Sequence, residues 1–260
     1  MGSAQARVLA VANQKGGVGK TTTAVTLSAA LARAGYNVLI IDLDPHACAS
    51  VHLRFYPDDV TATVNDLFTA DETRWRDIWQ KIRFRHEGQG FDVTPASIRL
   101  SELENDLRER PGKGAILQRA LVSVRSEYDF IVLDCPPHVG ILLVNALVAC
   151  DLLIIPIQTD FLALHGLKLL FDTIRILNRV LPRPITYRAL ATMYDRRAKA
   201  CQRVVELLSI KMTNRMFATI IGMDTRFRDA SALGKVIYEI APESRGAKAY
   251  EELAREIVLL

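Results

Sequence analysis

A glycine-rich segment near the N-terminus, KGGVGKTTT at residues 15–23, constrains this chain more than any other feature. Its three glycines allow the backbone to turn its N–H groups inward around an anion, and a helix that begins near Lys20 would add the positive end of its dipole. A short apolar run at residues 7–12 precedes the segment, and apolar residues at helical spacing follow it. This order of strand, loop and helix is the one that a phosphate-binding P-loop requires.

The side chains of this segment have distinct predicted roles. Lys20 would reach the β- and γ-phosphates of a nucleotide, and the hydroxyl of Thr21 would bind Mg²⁺. Lys15 is a second lysine, whereas the P-loop pattern G-x-x-x-x-G-K-[ST] requires only one. The segment predicts nucleotide contacts from Gly16, Gly17, Val18, Gly19, Lys20, Thr21 and Thr22.

The whole chain has the size and composition of one α/β unit. With 260 residues, half of them hydrophobic, it can bury a substantial core, and we expect residues 1–260 to form a single domain. Apolar strand-like runs alternate with amphipathic helical segments, which predicts a doubly wound, mainly parallel sheet flanked by helices. No apolar run approaches the roughly 20 residues that span a bilayer, and the N-terminus lacks the layout of a signal peptide, so a cytoplasmic protein is expected.

Three acidic residues end apolar strand segments. Asp42 and Asp44 follow the second apolar run, and Asp134 ends the run at residues 130–134. Parallel strands gather their ligands at their carboxyl ends, and Asp134 there can hold Mg²⁺ in the manner of a Walker B aspartate. Asp42 and Asp44 need a counter-charge that Mg·ATP would provide; the alternative is a solvated pair of acids at a strand end.

Several strings resemble the ParA/MinD group of P-loop ATPases, and the ParA/Soj type in particular. They are KGGVGKTTT at 15–23, DLDP at 42–45, FDVTPASIRLSELENDL at 91–107, DCPP at 134–137 and IPIQTDFLALHGL at 155–167. The resemblance implies ATP and Mg²⁺ as cofactors, and a homodimer in which Lys15 reaches the nucleotide of the partner subunit. It also implies that Asp44 positions the attacking water, and that Asp42 joins Thr21 and Asp134 in supporting the metal.

Some positions depart from the common pattern of that group. His46 stands where many members have Gln, and His165 where an acid is common. The DPHA string and DTRFRDAS at 224–231 resemble a branch that positions chemosensory clusters. Met223 and Asp224 occupy the place of the loop that contacts the nucleotide base, where many relatives begin with Pro-Arg.

A basic region in the last third of the chain suggests nucleic acid as a partner. Residues 183–228 carry ten cations against three anions, a net charge of +7, whereas the whole chain carries +4. Dispersed arginines on one face give salt-sensitive, sequence-independent affinity for DNA. The predicted DNA contacts are Arg196, Arg197, Arg203, Arg226 and Arg228. The alternative is an ordinary solvated helix face with local ion pairs.

These observations predict a nucleoid-associated ATPase that dimerises with ATP, binds nonspecific DNA and hydrolyses ATP when an activating or cargo-adaptor protein stimulates it. Its cargo would be a plasmid, a chromosome origin or a chemosensory cluster. A MinD-like ATPase that cycles onto the membrane and a scaffold without ATPase activity are the alternatives. The last helix carries Glu251, Glu252 and Glu256 on its polar face, which disfavours an anionic membrane surface. Trp75 and Trp79, at helical spacing, predict either a packed face or a partner surface.

Overall fold

The computed structural model describes residues 5–107, 109–160 and 167–260; His165 lies outside these ranges. The strands are β1 (Arg7–Val11), β2 (Val38–Asp42), β3 (Phe84–His86), β4 (Phe91–Thr94), β5 (Phe130–Asp134), β6 (Leu152–Gln158) and β7 (Tyr187–Thr192). The α-helices are α1 (Lys20–Arg33), α2 (Cys48–His52), α3 (Asn65–Thr69), α4 (Trp75–Ile82), α5 (Leu103–Asp106), α6 (Ile116–Leu121), α7 (Ile141–Ala149), α8 (Lys168–Leu177), α9 (Lys199–Lys211), α10 (Arg226–Ala232), α11 (Ile237–Ile240) and α12 (Arg245–Val258).

The strands of the described residues form one sheet in the order β3-β4-β2-β5-β1-β6-β7. All neighbours are parallel except the edge strand β3, which runs antiparallel to β4. β1 therefore lies inside the sheet, between β5 and β6, and the glycine-rich loop leaves its carboxyl end. In the register of β2 and β5, Asp42 lies opposite Asp134, so the predicted acids meet at one edge of the sheet.

Apolar side chains fill both faces of the sheet. Along β1, Val8 and Ala10 belong to one buried cluster, and Leu9 and Val11 belong to another. Alternate residues of a strand point to opposite faces, so a strand that is apolar throughout must be covered on both sides. α6 and α7 contribute to the first cluster, and α1 and α12 to the second. The predicted doubly wound fold is confirmed.

The two tryptophans lie on a packed face of α4. Both rings are buried. The indole N–H of Trp75 donates to the carbonyl of Leu67 at 2.9 Å, and that of Trp79 donates to the carbonyl of Ala120 at 2.9 Å. Because a buried indole N–H needs an acceptor, these bonds and the apolar packing account for both residues. The packed-face alternative is the one that the structure supports.

The last helix, α12, packs against the sheet and α1. Tyr250, Leu253 and Ile257 are buried on its inner face. On its outer side the Glu256 carboxylate accepts hydrogen bonds from the backbone N–H groups of Ala218 and Thr219, at 2.9 and 3.1 Å. Within the described ranges, no helix combines the length and the apolarity that crossing a membrane requires.

A buried hydroxyl pair joins α12 to α1 and gives a test of this packing. Thr23 Oγ1 and the Tyr250 hydroxyl are 2.8 Å apart, and both side chains are buried. Tyr250→Phe leaves the Thr23 hydroxyl without this partner, so we expect the free energy of unfolding to fall by about 1–2 kcal/mol, measured as a lower midpoint of thermal unfolding. The double variant Thr23→Val, Tyr250→Phe should recover most of the loss, and Tyr56→Phe on the surface is the control. A Tyr250→Phe protein with an unchanged midpoint would contradict the expectation.

Candidate nucleotide-binding site

The loop between β1 and α1 has the backbone of an anion cradle. Gly17 and Gly19 have φ of 74° and 92°, in the left-handed region that side chains disfavour. A Cβ atom at either position would meet nothing within 4 Å, so the glycines are required by conformation and the loop faces open space. α1 begins at Lys20 with no acid in its first turn, which leaves the positive helix end for an anion. The predicted start of this helix is confirmed.

Two side chains that no sequence pattern singles out fix the loop to its neighbours. The Thr192 hydroxyl, at the end of β7, donates to the carbonyl of Val18 at 2.9 Å. The Asn13 amide donates to the carbonyl of Pro156 at 2.7 Å and accepts from the backbone N–H of Lys15 at 3.0 Å. These bonds connect the cradle to β6 and β7, so its shape depends on tertiary contacts.

Lys20 lies at the base of the cradle with its side chain largely buried. Its Nζ donates to the carbonyl of Lys15 at 3.3 Å. Burial lowers the pKa of Lys20, and the negative charges of Asp134 and Asp44 oppose that shift. A buried ammonium beside two carboxylates is suited to accept further negative charge from phosphate oxygens.

Asp42 is completely buried and is held by several donors. Its Oδ2 accepts from the backbone N–H and the hydroxyl of Ser50 at 2.9 and 2.7 Å, and its Oδ1 accepts from the backbone N–H of Asp44 at 3.0 Å. Burial raises the pKa of Asp42 to about 6, and the hydrogen bonds from Ser50 oppose that shift. Asp42 thereby fixes the strand end that carries Asp44. Ser50 is a further residue that the sequence did not single out.

Asp134 is also completely buried, yet neither of its carboxylate oxygens accepts a well-formed hydrogen bond from any described residue. Burial raises the pKa of Asp134 well above its usual range; Asp42 reinforces the shift and the nearby Thr21 hydroxyl opposes it. An orphaned buried carboxylate needs a partner. Within the described ranges no group of three His, Cys, Asp or Glu residues could hold a metal by itself. These residues fit Mg²⁺, because Mg²⁺ typically takes one or two protein ligands and completes its shell with phosphate oxygens and water.

Asp44 lies beside this site and bonds to the histidine two residues later. Its Oδ1 accepts from the backbone N–H of His46 at 3.0 Å and contacts the ring Nδ1 of His46 at 2.9 Å. The Asp44 side chain is 10% exposed, whereas that of His46 is 70% exposed. Ala47, which follows, has φ of 52° and immediately precedes α2. The turn therefore holds Asp44 at the site and leaves the histidine ring in solvent.

Lys15, the second lysine, does not line the base of the cradle. Its ammonium forms an ion pair with Asp160, two residues beyond the end of β6. The two side chains are 28% and 37% exposed, so the pair lies at the rim of the site. Asp160 Oδ1 is buried and accepts no hydrogen bond from the described residues.

The predicted base loop is only in part available to a nucleotide. The Met223 side chain is exposed. The Asp224 carboxylate accepts from the backbone N–H groups of Gly246 and Arg226, at 3.0 and 3.1 Å. Asp224 thus fixes the start of α10 to the start of α12, and a nucleotide contact from Met223 or Asp224 stays a prediction.

The five predicted DNA-contacting arginines, Arg196, Arg197, Arg203, Arg226 and Arg228, are all exposed. Two backbone hydrogen bonds bring their segments together: Tyr194 N–H donates to Ile221 O at 3.1 Å, and Met223 N–H donates to Tyr194 O at 3.1 Å. The loops that enter α9 and α10 therefore lie side by side, beyond the outer edge of β7.

Two of the five arginines pair with local acids. Arg197 bonds to both oxygens of Asp195, at 3.1 and 3.0 Å, and this bonding lowers the pKa of Asp195 to about 2. Arg226 pairs with Asp224 at 3.3 Å. No described acid forms an ion pair with Arg203 or Arg228.

This site, a phosphate loop between β1 and α1 with acids at the ends of β2 and β5, defines a P-loop nucleotide-binding protein. A model of the AAA_31 family, described as an AAA domain, matches residues 6–186. The chain belongs to this family of P-loop ATPases, in its ParA/Soj-type group, as the relatives below indicate.

Two curated relatives cover nearly the whole chain. The chain is 37% identical over 252 residues to the sporulation initiation inhibitor protein Soj of Bacillus subtilis (strain 168), covering 96% of this chain and 98% of that protein. It is 35% identical over 255 residues to the chromosome partitioning protein ParA of Myxococcus xanthus (strain DK1622), covering 97% and 88%. The predicted resemblance to ParA/Soj-type ATPases is confirmed.

A solved structure shares the fold. The cobyrinic acid a,c-diamide synthase of Mycobacterium smegmatis, with bound ATP analogue and magnesium, superposes with a TM-score of 0.82 at 31% identity, covering 97% of this chain and 94% of that chain. The prediction of ATP and Mg²⁺ as cofactors agrees with the nucleotide and metal in that structure.

Proposed function

We propose that this chain is an ATPase that dimerises when it binds ATP, binds nonspecific DNA as a dimer, and positions or segregates a cargo. The observation that carries the proposal is Lys15, a second lysine of the phosphate loop whose ammonium lies at the rim of the site and pairs with Asp160. A cation at the rim can exchange its carboxylate partner for phosphate oxygens of a nucleotide bound to a second subunit. ATP would then act as a signal for dimerisation.

The chemistry of the proposal is phosphoryl transfer from ATP to water. The backbone N–H groups of the loop and Lys20 hold the phosphates and stabilise the charge that develops on them. Asp44 orients the attacking water. Mg²⁺, bound at Asp134 and Thr21 with support from Asp42, would neutralise the phosphate oxygens. Loss of the γ-phosphate removes the group that Lys15 contacts across the dimer, so hydrolysis separates the subunits and releases the DNA. Slow turnover, accelerated by a partner protein, suits such a switch.

Two observations, a relative's name and the sequence resemblance, support different cargoes. The name of the Myxococcus xanthus relative, chromosome partitioning protein ParA, favours chromosome partitioning. His46 and the DTRFRDAS string favour a chemosensory cluster instead. The genes next to the gene for this chain distinguish the two cargoes. Chemotaxis genes support a chemosensory cluster, and a gene for a centromere-binding protein supports partitioning.

Reversal of one arginine charge tests the DNA surface. Arg203 lies on α9, is exposed and forms no ion pair with a described acid. We expect Arg203→Glu to weaken binding to nonspecific duplex DNA by about tenfold at moderate salt in the presence of ATP. The slope of the logarithm of the binding constant against the logarithm of the salt concentration should become shallower by about one or two, because fewer counterions are released. Fluorescence anisotropy over a salt series measures both quantities. Arg76→Glu is the control, because Arg76 is an exposed arginine of α4, the helix that precedes β3 at the opposite edge of the sheet.

Two outcomes would contradict the DNA assignment. In one, Arg203→Glu binds DNA as tightly as the control Arg76→Glu and the unaltered protein do. In the other, the unaltered protein binds vesicles of anionic lipid in the presence of ATP and does not bind DNA at the same salt concentration, which favours the MinD-like alternative.

A further inference from the structure

We propose that His46 is a positioning residue for Asp44 in ATP hydrolysis; the inference rests on the proposed function. Two donors of the same residue converge on one oxygen. The backbone N–H of His46 is 3.0 Å from Asp44 Oδ1, and the ring Nδ1 is 2.9 Å from it. The ring contact requires the proton on Nδ1, because a carboxylate oxygen can only accept.

The two bonds fix the orientation of the carboxylate. With Oδ1 occupied twice, Asp44 cannot rotate about its terminal torsion without losing both contacts, and no described residue donates to Oδ2. Oδ2 is therefore the oxygen that remains to accept a hydrogen bond from water. A carboxylate that presents one oxygen in a fixed direction orients a water molecule better than one that rotates freely.

The backbone around the pair restricts it further. The N–H of Asp44 donates to Asp42 Oδ1, and Pro45 limits the main chain between Asp44 and His46. Ala47 has φ of 52°, an unfavourable value for a residue with a side chain. Strain that persists beside a reactive group is typical of positions that tertiary structure holds for function.

A purely structural role for the ring predicts a different outcome. The His46 side chain is 70% exposed, so it buries little surface, and the backbone N–H alone closes the turn. Removal of the ring should therefore leave the folding and the nucleotide affinity unchanged. Only the step that depends on the orientation of Asp44 should slow.

The test compares His46→Ala with His46→Asn, since the Asn side-chain nitrogen can take the place of Nδ1. We expect His46→Ala to slow single-turnover ATP hydrolysis in the presence of Mg²⁺ by about tenfold or more. The dissociation constant for ATP and the midpoint of thermal unfolding should not change. We expect His46→Asn to restore the rate to within about threefold of the unaltered protein. In the Asp44→Asn background, His46→Ala should have no further effect, because the group that it positions is gone.

Three results would overturn the inference. They are a His46→Ala rate within about twofold of the unaltered rate, no recovery with His46→Asn, and an additional loss in the Asp44→Asn background. If Asp44→Asn hydrolyses ATP normally, the proposed role of Asp44 fails and that of His46 fails with it. If Asp44→Asn is inactive and His46→Ala is normal, only the role of His46 fails.

Discussion

Asp134→Asn is expected to abolish Mg²⁺-dependent ATP hydrolysis and, at the same time, to make the protein without metal more resistant to unfolding. The carboxylate is completely buried and accepts no well-formed hydrogen bond from the described residues. Burial and the nearby Asp42 carboxyl disfavour the charged form of Asp134 by more than Thr21 and Lys20 favour it, whereas the neutral amide has no charge to desolvate. We expect an increase of about 1–3 kcal/mol in the free energy of unfolding in EDTA, and a hydrolysis rate reduced by more than about a hundredfold.

The stabilising effect should depend on pH in a defined direction. Because the pKa of Asp134 is raised in the folded protein, the folded state binds a proton that the unfolded state has already released at the same pH. Below the ordinary carboxyl pKa of about 4, Asp134 therefore does not reduce the free energy of unfolding of the unaltered protein. As the pH rises from there through the raised pKa, that free energy falls. Asparagine does not titrate. The advantage of Asp134→Asn should be absent near pH 4 and should grow towards neutral pH, as measured by thermal unfolding in EDTA over a pH series.

Asp129→Asn is the matched control, since Asp129 precedes the same strand, β5, at its opposite end and is exposed. It should leave the hydrolysis rate unchanged and should not raise the free energy of unfolding in EDTA. An Asp134→Asn protein that is less stable than the unaltered one at neutral pH in EDTA would show that Thr21 and Lys20 stabilise the carboxylate by more than its burial costs. Normal hydrolysis by Asp134→Asn would contradict the assignment of Asp134 as a Mg²⁺ ligand.

The sequence was sufficient for the parts of the site that depend on local pattern. The glycines around Val18 are needed for backbone conformation, and apolar residues at helical spacing follow them, so the phosphate loop and the start of α1 follow from neighbouring residues. Asp42 and Asp134 end strands that are apolar throughout. Such strands are typical of a parallel sheet covered on both faces, whose carboxyl ends coincide. The order of the strands within the sheet does not follow from this pattern, because any order would bury the same apolar runs.

The contacts that fix the site depend on residues that are distant in the chain. Thr192 bonds to the phosphate loop, and Ser50 bonds to Asp42. Serine and threonine occur in many loops, so nothing in their local sequence distinguishes these two. The ion pair between Lys15 and Asp160 likewise exists because β1 and β6 are neighbours in the sheet, which requires the tertiary structure.

Lys15→Ala is expected to abolish ATP-dependent dimerisation while the monomer still binds ATP. The phosphates in the same subunit are held by the loop N–H groups and by Lys20, which the substitution leaves intact. The contact across the proposed dimer loses its only charged donor from this loop, and truncation of one partner in a desolvated charge pair costs about 2–5 kcal/mol, or roughly 30-fold to several thousandfold in affinity. Light scattering with a slowly hydrolysed ATP analogue measures the dimer, and nucleotide titration measures ATP binding. A Lys15→Ala protein that dimerises normally would refute the role of Lys15.

Asp160→Asn should have the opposite effect on the same equilibrium. In this structure Asp160 pairs with Lys15, so in the proposed dimer it would compete with the phosphates of the partner subunit for the ammonium. Because both side chains are partly exposed, the pair is worth about 0.2–1 kcal/mol, and its removal should tighten ATP-dependent dimerisation by up to about fivefold. Asp172→Asn is the matched control, since Asp172 forms an ion pair with Arg175 on the exposed side of α8. If Asp160→Asn weakens the dimer instead, Asp160 contributes to the dimer interface and does not compete for Lys15.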